Sequence, residues 1–446
     1  MDITQSDAIK IIEQKQAVEN ELSWIYDFWN NLKPYAYARE EDNVIIIPPN
    51  LVYKTNNTGI QLIRYIESGR KLSNLPGINA QKLEHIKQFF RDIHAVYSGK
   101  PVALQTQRYD FSFTKLPVIG EIAVTYRCTN ACKFCYAGCT GLQNSIAEKY
   151  PELDTEHSKH VINIFKEQCK IPFFSFTGGE PLLRDDLEEL ISFAISIGLR
   201  VNLISNGTLI TKNRAHALYR AGLRTAQISL ESIDAKTHDY LTGTPGSFEK
   251  TIQGIEHLLS AGISVQTNTT VTACNKEIVR EIPQFVKSLG INRMSMNLYI
   301  PAGTENYRDE LAVSYTACAE LLPTLQKAAY SAGVQFFWYS PLPLCLYNPV
   351  AHGLGNKNCA ACDGLISIAP DGSILPCSSY DEPIGNILTD DFKHLWFSSK
   401  AQWFKQKEYA PEFCKTCSAF TACQAACPLY WKYNSLNEII NCRRNP

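Results

Sequence analysis

The chain has 446 residues, 45% of them hydrophobic and 20% charged, the make-up of an ordinary globular protein with roughly three domains of about 150 residues each. Forty-three basic against 44 acidic residues leave a net charge of −1, with no surplus to hold a phosphate backbone, and no run nears the roughly 18 apolar residues of a membrane span. The start, MDITQSDAIKIIEQKQ, lacks the basic-then-apolar layout of an export signal, so a cytoplasmic location and no membrane or nucleic-acid partner are expected. Sixteen cysteines in such a chain point to metal ligation or redox chemistry rather than to disulfides. The nine histidines contain no HExxH pair, which removes support for a zinc hydrolase of that kind.

In chain order, residues 1–105 read as a unit of their own. Ile9, Ile12, Leu22, Ile25, Phe28, Trp29 and Leu32 follow mostly helical spacing over residues 8–32, and VIIIPP (44–49) reads as a short strand stopped by Pro48 and Pro49. Asn57-Thr58-Gly59 opens an apolar pattern of Ile60, Ile63 and Ile66 that ends at Gly69, and a second helical run covers 79–97. Strand, helix, turn, helix outlines a small winged-helix-like α+β module; a helical extension that only caps the next domain is the plainer alternative.

Residues 106–335 alternate short β-rich runs with helical ones. Strands are expected at 122–126, 173–176, 201–205, 226–230, 264–271 and 294–300, with helical segments such as 185–197 and 248–261 between them. Alternating units of this kind build a parallel sheet, and six are fewer than the eight of a full barrel, so the expected α/β fold is a partial (β/α)6 TIM-like barrel with its chemistry at the carboxyl ends of the strands. Residues 336–446 carry nine cysteines among Gly and Pro turns, the composition of a small domain organised around metal clusters.

Directly after the first barrel strand comes CTNACKFC: Cys128, Cys132 and Cys135, spaced C-x3-C-x2-C, with Phe134 and Tyr136 beside the last. A cubane iron–sulfur cluster usually takes four thiolates, so three from one loop leave one iron open to an outside ligand, as a catalytic cluster requires. A zinc or structural cluster completed by Cys139 is the alternative. The second strand ends in TGGEP (177–181), where paired glycines let the backbone approach a ligand and the Glu180 carboxylate can accept from an ammonium group. Ser205-Asn206-Gly207 ends the third strand and Ser229-Leu230-Glu231-Ser232 the fourth; each alone is a common turn or strand end.

In this order the motifs resemble those of the radical S-adenosylmethionine (radical SAM) superfamily. The resemblance implies a 4Fe-4S cluster on Cys128, Cys132 and Cys135 whose open iron takes the amino and carboxylate groups of SAM. It also implies cofactor contacts from Phe134, from Gly178, Gly179 and Glu180 at the amino group, from Ser205 and Asn206 at the ribose, and from Ser229 and Glu231. His238-Asp239 through Gly243, ahead of GSFEK (246–250), resembles many peptide-acting members, although Tyr240 and Leu241 stand where those members often carry an arginine.

The C-terminal cysteines resemble the SPASM extension: Cys359 or Cys362, then Gly372-x4-Cys377, then Cys414, Cys417, Cys423 and Cys427 spaced C-x2-C-x5-C-x3-C, then Cys442. That resemblance implies two auxiliary 4Fe-4S clusters, three clusters in all. Cys377 and Cys427 would join two upstream cysteines at the first, and Cys414, Cys417, Cys423 and Cys442 would hold the second. Cys345, Cys359 and Cys362 compete for the two upstream places, with Cys359 and Cys362 preferred. Cys139, Cys169, Cys274 and Cys318 are expected to be ordinary buried thiols. At the N-terminus, VIIIPP followed by Asn57-Thr58-Gly59 is similar to the precursor-peptide recognition module fused to many peptide-modifying radical enzymes, which implies leader-peptide binding by strand addition.

Together these resemblances imply a radical SAM oxidoreductase. A low-potential donor such as ferredoxin or flavodoxin reduces the site cluster, SAM breaks into methionine and a 5'-deoxyadenosyl radical, and that radical oxidatively modifies or crosslinks a ribosomally made precursor peptide. No catalytic residue is assigned. One rival acts on a small molecule or cofactor precursor, such as a porphyrin side chain. Another is a sulfatase-maturing, formylglycine-forming enzyme, whose family places an aspartate directly after the Gly-x4-Cys cysteine, where Ser378 stands here. A non-catalytic electron-transfer protein would leave GGEP beside a three-cysteine loop unexplained.

Overall fold

The computed structural model describes residues 5–47, 51–98, 100, 113–302 and 309–444, with side chains from 13 onward and up to 440. The chain divides into two compact units, Met1–Lys115 and Leu116–Pro446.

In the first unit α1 (Gln5–Leu32) precedes β1 (Tyr37–Arg39), β2 (Val44–Ile47) and β3 (Leu51–Lys54), followed by α2 (Asn57–Glu67) and α3 (Ala80–Tyr97). The strands form an antiparallel sheet in the order β1-β2-β3, so among the described residues β3 is an edge. Pro48 and Pro49 lie outside the described residues. Asparagine side chains start both later helices: Asn56 accepts from the Gly59 amide at 2.8 Å and Asn79 from the Lys82 amide at 2.9 Å. The apolar stripe of α1 (Leu22, Ile25, Trp29, Leu32) packs with Ile60 and Ile63 of α2 and Ile86 and Phe90 of α3. Beneath β1, Arg39 makes a bidentate pair with Asp42 (2.8 and 2.7 Å), both side chains fully buried, and Asp42 also accepts from the Lys115 amide.

The second unit runs β4 (Ile119–Thr125), α4 (Ser145–Lys149), α5 (Thr155–Glu167), β5 (Phe173–Gly178), α6 (Leu187–Ser196), β6 (Arg200–Ser205), α7 (Lys212–Arg220) and β7 (Thr225–Ser229). It continues through α8 (Ala235–Thr242), α9 (Ser247–Ser260), β8 (Ser264–Val271), α10 (Ile282–Ser288), β9 (Arg293–Leu298), α11 (Tyr315–Ala332) and β10 (Gln335–Trp338). All six expected barrel strands are present, and β10 is a seventh whose four residues gave too short a pattern to see. These strands are parallel in the order β10-β9-β8-β7-β6-β5-β4. The sheet does not close on itself. Beyond β4 it continues through β11 (Leu365–Ile368), β12 (Ser373–Leu375) and β13 (Gly385–Asn386), with β11 parallel to β4 in the register Leu365↔Ile119. The cysteine-rich segment therefore extends the barrel's own sheet.

Helices cover the outer face of this sheet. Phe174 and Phe176 of β5 and Leu203 of β6 pack with Val161 and Phe165 of α5 and Leu190 and Ile191 of α6, all fully buried. Phe174 meets Phe165 and Phe176 edge to face, at centroid separations of 5.7 and 4.9 Å. Truncating Phe174 to Ala removes the centre of that cluster and should cost about 3–5 kcal/mol. The urea midpoint of the metal-free protein should fall accordingly; an unchanged midpoint would show that the cluster does not hold β5 in place.

Candidate functional site

At the carboxyl ends of the barrel strands lies a cavity of about 440 Å³. Cys128, Cys132 and Cys135 line it, together with Phe134, Gly178, Gly179, Ser205, Asn206, Ser229 and Glu231, and so do Cys359, Cys377 and Cys427 from the C-terminal segment. Residues scattered over 300 positions of sequence thus share one wall.

The cysteine loop is fixed mainly by backbone. The Cys128 amide donates to the Gly141 carbonyl (3.1 Å), and the Ala131 and Lys133 amides donate to the carbonyls of Thr242 and Leu241 (3.0 and 2.9 Å) at the end of α8. Gly243 follows with φ 66°, and a Cβ there would overlap the Ala131 carbonyl oxygen. On the other side, the Gly179 and Glu180 amides donate to the carbonyls of Thr125 and Arg127 (2.8 and 2.9 Å); a Cβ on Gly179 would overlap the Arg127 carbonyl. Tyr240 and Leu241, standing where an arginine was expected, also hold the loop. The Lys133 ammonium lies 4.6 Å from the Tyr240 ring centre, and Leu241 packs with Tyr299 and Phe134.

The thiols carry the marks of ligands. The Asn130 amide points at Cys128 Sγ (3.4 Å) and the Cys139 amide at Cys135 Sγ (3.3 Å), each a donor that favours thiolate. Burial pushes the Cys128 thiol up to about 12 and that of Cys132 well above its ordinary value, whereas the Cys139 thiol, donating to Cys135, holds the latter down to about 7. Three sulfurs on one loop, open to a shared cavity and two of them met by amide donors, fit a cluster with one iron left to another ligand. Cys139 is buried, as expected, but lines the same cavity beside Cys135. Cys169 and Cys318 are buried; Cys274 is exposed, a correction to its expected burial.

Glu180 is fully buried, and its carboxylate is engaged away from the cavity. It accepts from Ser205 Oγ (2.9 and 3.0 Å), the Asn206 amide (2.9 Å) and the Leu182 amide (3.1 Å), clasping the β6 turn to the β5 turn. Burial raises its pKa to about 7 against these donors. Glu231 does face the cavity; with one donor, the Thr270 amide at 2.8 Å, burial raises it to about 8. Asn206, held by Glu180, reaches Thr129 Oγ1 (2.9 Å) inside the cysteine loop. His238 and Asp239 serve the frame. His238 Nδ1 accepts from the Glu231 amide (3.2 Å), and Asp239 caps α9 by accepting from the Gly246 and Phe248 amides and from Ser247 Oγ.

Sequence reasoning missed a row of polar residues on the inner face of the sheet. Glu121 of β4, Gln227 of β7, Asn268 and Thr270 of β8, Asn297 of β9, and Tyr339 and Ser340 after β10 all line the cavity. They bond to one another and to neighbours: Asn268 to Asn297 (2.8 Å) and Gln266 to Tyr339 (2.7 Å). Polar residues at every second position of buried strands were the available signal. Among the described residues lining the cavity, none is Lys, Arg or His.

Of the three cysteines competing for the upstream places, Cys359 lines the cavity with Cys377 and Cys427. Cys362 is buried without lining it, and Cys345 is exposed. Leu344, beside Cys345, donates its amide to Cys423 Sγ (3.3 Å). Cys414 and Cys417 sit one turn apart, the Cys417 amide donating to the Cys414 carbonyl (3.0 Å), and Cys423 is pushed up first by burial and then by Cys417. Between Cys423 and Cys427 the chain takes three successive left-handed residues, Gln424, Ala425 and Ala426 (φ 54°, 59° and 59°), a conformation costing about 1–2 kcal/mol per residue. That turn carries Cys427 back to the cavity wall. The side chain of Cys442 lies outside the described residues.

Comparison with known proteins agrees with this geometry. Residues 122–297 match the model of the radical SAM superfamily, and residues 359–418 that of SPASM, an iron–sulfur cluster-binding domain. An AdoMet-dependent heme synthase of Oleidesulfovibrio alaskensis is 32% identical over 321 residues, 67% of this chain and 80% of that protein. The chain belongs to the radical SAM superfamily. A PqqA peptide cyclase of Methylocella silvestris is 27% identical over 313 residues, 67% of this chain and 79% of that protein. Among solved structures, Streptococcus suis SuiB superposes with a TM-score of 0.67 at 16% identity, covering 90% of this chain and 96% of SuiB. The radical SAM fold here is the open, partial barrel with a SPASM domain, and its cofactors are SAM and 4Fe-4S clusters. The protein is an enzyme of radical chemistry, and no described helix is long and apolar enough to cross a membrane.

Because burial depresses His238 from 6.5 to about 4, the folded protein holds it neutral while the unfolded chain takes up a proton below pH 6.5. That stability is present above pH 6.5 and is lost as the pH falls toward 4, by roughly 3 kcal/mol. His238→Asn, which keeps an acceptor for the Glu231 amide, should lose less stability than wild type between pH 7 and 4.5. Equal losses in urea titrations of the two metal-free proteins would contradict the assignment.

Proposed function

We propose that this radical SAM enzyme oxidatively modifies or crosslinks a ribosomally made precursor peptide. The observation that carries the reading is the reach of the likeness to SuiB, whose 90% coverage of this chain is more than residues 116–446 could fill by themselves. SuiB is also known bound to its precursor peptide SuiA. In this chain the N-terminal unit offers β3 as an edge strand, to which an extended leader peptide adds through backbone hydrogen bonds.

When bound, the site cluster and SAM supply the electron and the hydrogen-abstracting radical. Cys128, Cys132 and Cys135 would hold that cluster, with Gly178, Gly179, Ser205, Asn206, Ser229, Glu231 and Phe134 around SAM. The Glu180 clasp orients the Ser205-Asn206 turn rather than meeting the ammonium itself. Leu298, Tyr299, Ile300 and Phe134 give the cavity an apolar side that excludes water. Cys359 and Cys362, with Cys377 and Cys427, would hold a first auxiliary cluster, and Cys414, Cys417, Cys423 and Cys442 a second. A low-potential donor such as ferredoxin or flavodoxin would supply electrons in the cytoplasm.

The heme synthase at 32% identity favours a second reading, in which the substrate is a tetrapyrrole. For a sulfatase-maturing enzyme the cavity offers Ser378 where an aspartate is expected.

The anaerobically reconstituted chain should hold about twelve iron atoms, and changing Cys128, Cys132 and Cys135 together to Ala should remove about a third of them. Iron near four, or stoichiometric zinc, would end the three-cluster reading. The full chain should bind the leader of a precursor peptide encoded beside its gene at micromolar affinity or better. Removing residues 1–115 should abolish peptide modification while substrate-free SAM cleavage persists. Tight binding of a coproporphyrin with no binding of the peptide would favour the second reading instead.

A further inference from the structure

Behind Cys359 lies a charged group that none of the chemistry above uses. Lys407 is fully buried, in a left-handed conformation (φ 57°). Its ammonium donates to the Cys359 carbonyl at 2.7 Å and to Asp363 Oδ2 at 3.2 Å. Lys405, itself buried, places its ammonium 3.6 Å from the other oxygen of the same carboxylate. Two residues further on, the Tyr409 hydroxyl donates to the Ala426 carbonyl at 3.4 Å, in the turn that leads to Cys427. Lys405 and Lys407 thus both address the segment from Cys359 to Asp363.

Burying an ammonium is costly, and a carbonyl is a weak partner for one. What distinguishes the position is the thiol beside that carbonyl, on the cavity wall with Cys377 and Cys427. A 4Fe-4S cluster that takes up one electron gains one negative charge, and a fixed cation close by in low dielectric stabilises the reduced form. Hydrogen bonds to a ligand sulfur act in the same direction.

We propose that Lys407, positioned by Asp363, raises the reduction potential of the cluster that Cys359 helps to hold. The inference rests on the proposed placing of an auxiliary cluster on Cys359, Cys362, Cys377 and Cys427. Lys407 is a positioning residue in this account, acting on the cluster through the ligand's own backbone and through its charge. Such a cluster takes an electron more readily than one without the cation.

The test is a redox titration followed by electron paramagnetic resonance, on the full chain with Cys128, Cys132 and Cys135 changed to Ala so that only C-terminal clusters are read. In Lys407→Met one C-terminal signal should shift so that its reduced-to-oxidised ratio at a fixed potential falls about tenfold, equivalent to 59 mV for one electron, while the other signal stays in place as an internal control. Lys407→Arg, which keeps the charge, should restore most of the potential. Asp363→Asn, which removes the opposing charge, should move the same signal upward and decides the matter if Lys407→Met does not hold its cluster. Unmoved potentials in both Lys407→Met and Asp363→Asn, or an equal fall in Lys407→Arg and Lys407→Met, would overturn the proposal. The absence of a second C-terminal signal in the parent protein would instead overturn the cluster placing on which it rests.

Discussion

The close approach of three backbone segments around the cysteine loop is the constraint from which the rest of the site follows. The loop leaves β4, crosses the β5 turn at Gly179 and is received by the end of α8 at Gly243, where a side chain on either glycine would strike a carbonyl of the loop. Because these contacts are amide to carbonyl, they fix the positions of Cys128, Cys132 and Cys135 without regard to most neighbouring side chains. Tyr240 and Leu241 pack against the loop, while its course is set by the Thr242 and Leu241 carbonyls.

Two buried carboxylates divide the labour around that loop. Glu180 saturates its oxygens with four donor contacts and joins the ends of β5 and β6. Glu231 has a single amide donor and opens on the cavity. The first is met by several donors and the second by one, a difference in environment rather than in residue type. The left-handed turn at Gln424–Ala426 stores strain that only a surrounding structure can hold, and it does so where Cys427 must return to Cys359 and Cys377.

Much of this was legible in the sequence wherever a function is written in neighbouring residues. CTNACKFC, TGGEP and SNG each sit on one turn, and the strand before each turn has enough β-rich residues to be seen. What the sequence hid was direction and distance. It named Glu180 but not the way its carboxylate turns, which depends on Ser205 one strand away. Glu121, Asn268 and Asn297 become neighbours only when the sheet is assembled. β1, β3 and β10 are three or four residues long and carry no period to read, and β11 reveals itself as a continuation of the barrel only through its pairing with β4. Spacing left Cys345, Cys359 and Cys362 as competitors; their different surroundings become visible only in three dimensions.

The account makes the backbone seat at Gly243 the determinant of a SAM-responsive cluster, and one comparison tests it directly. Electron paramagnetic resonance spectra of the reduced wild-type protein should change on adding SAM. The Gly243→Ala protein, with a methyl group forced against the Ala131 carbonyl, should keep its C-terminal iron signals yet show no change with SAM. A Gly243→Ala protein whose spectrum responds to SAM as the wild type does would contradict the claim that this contact sets the site.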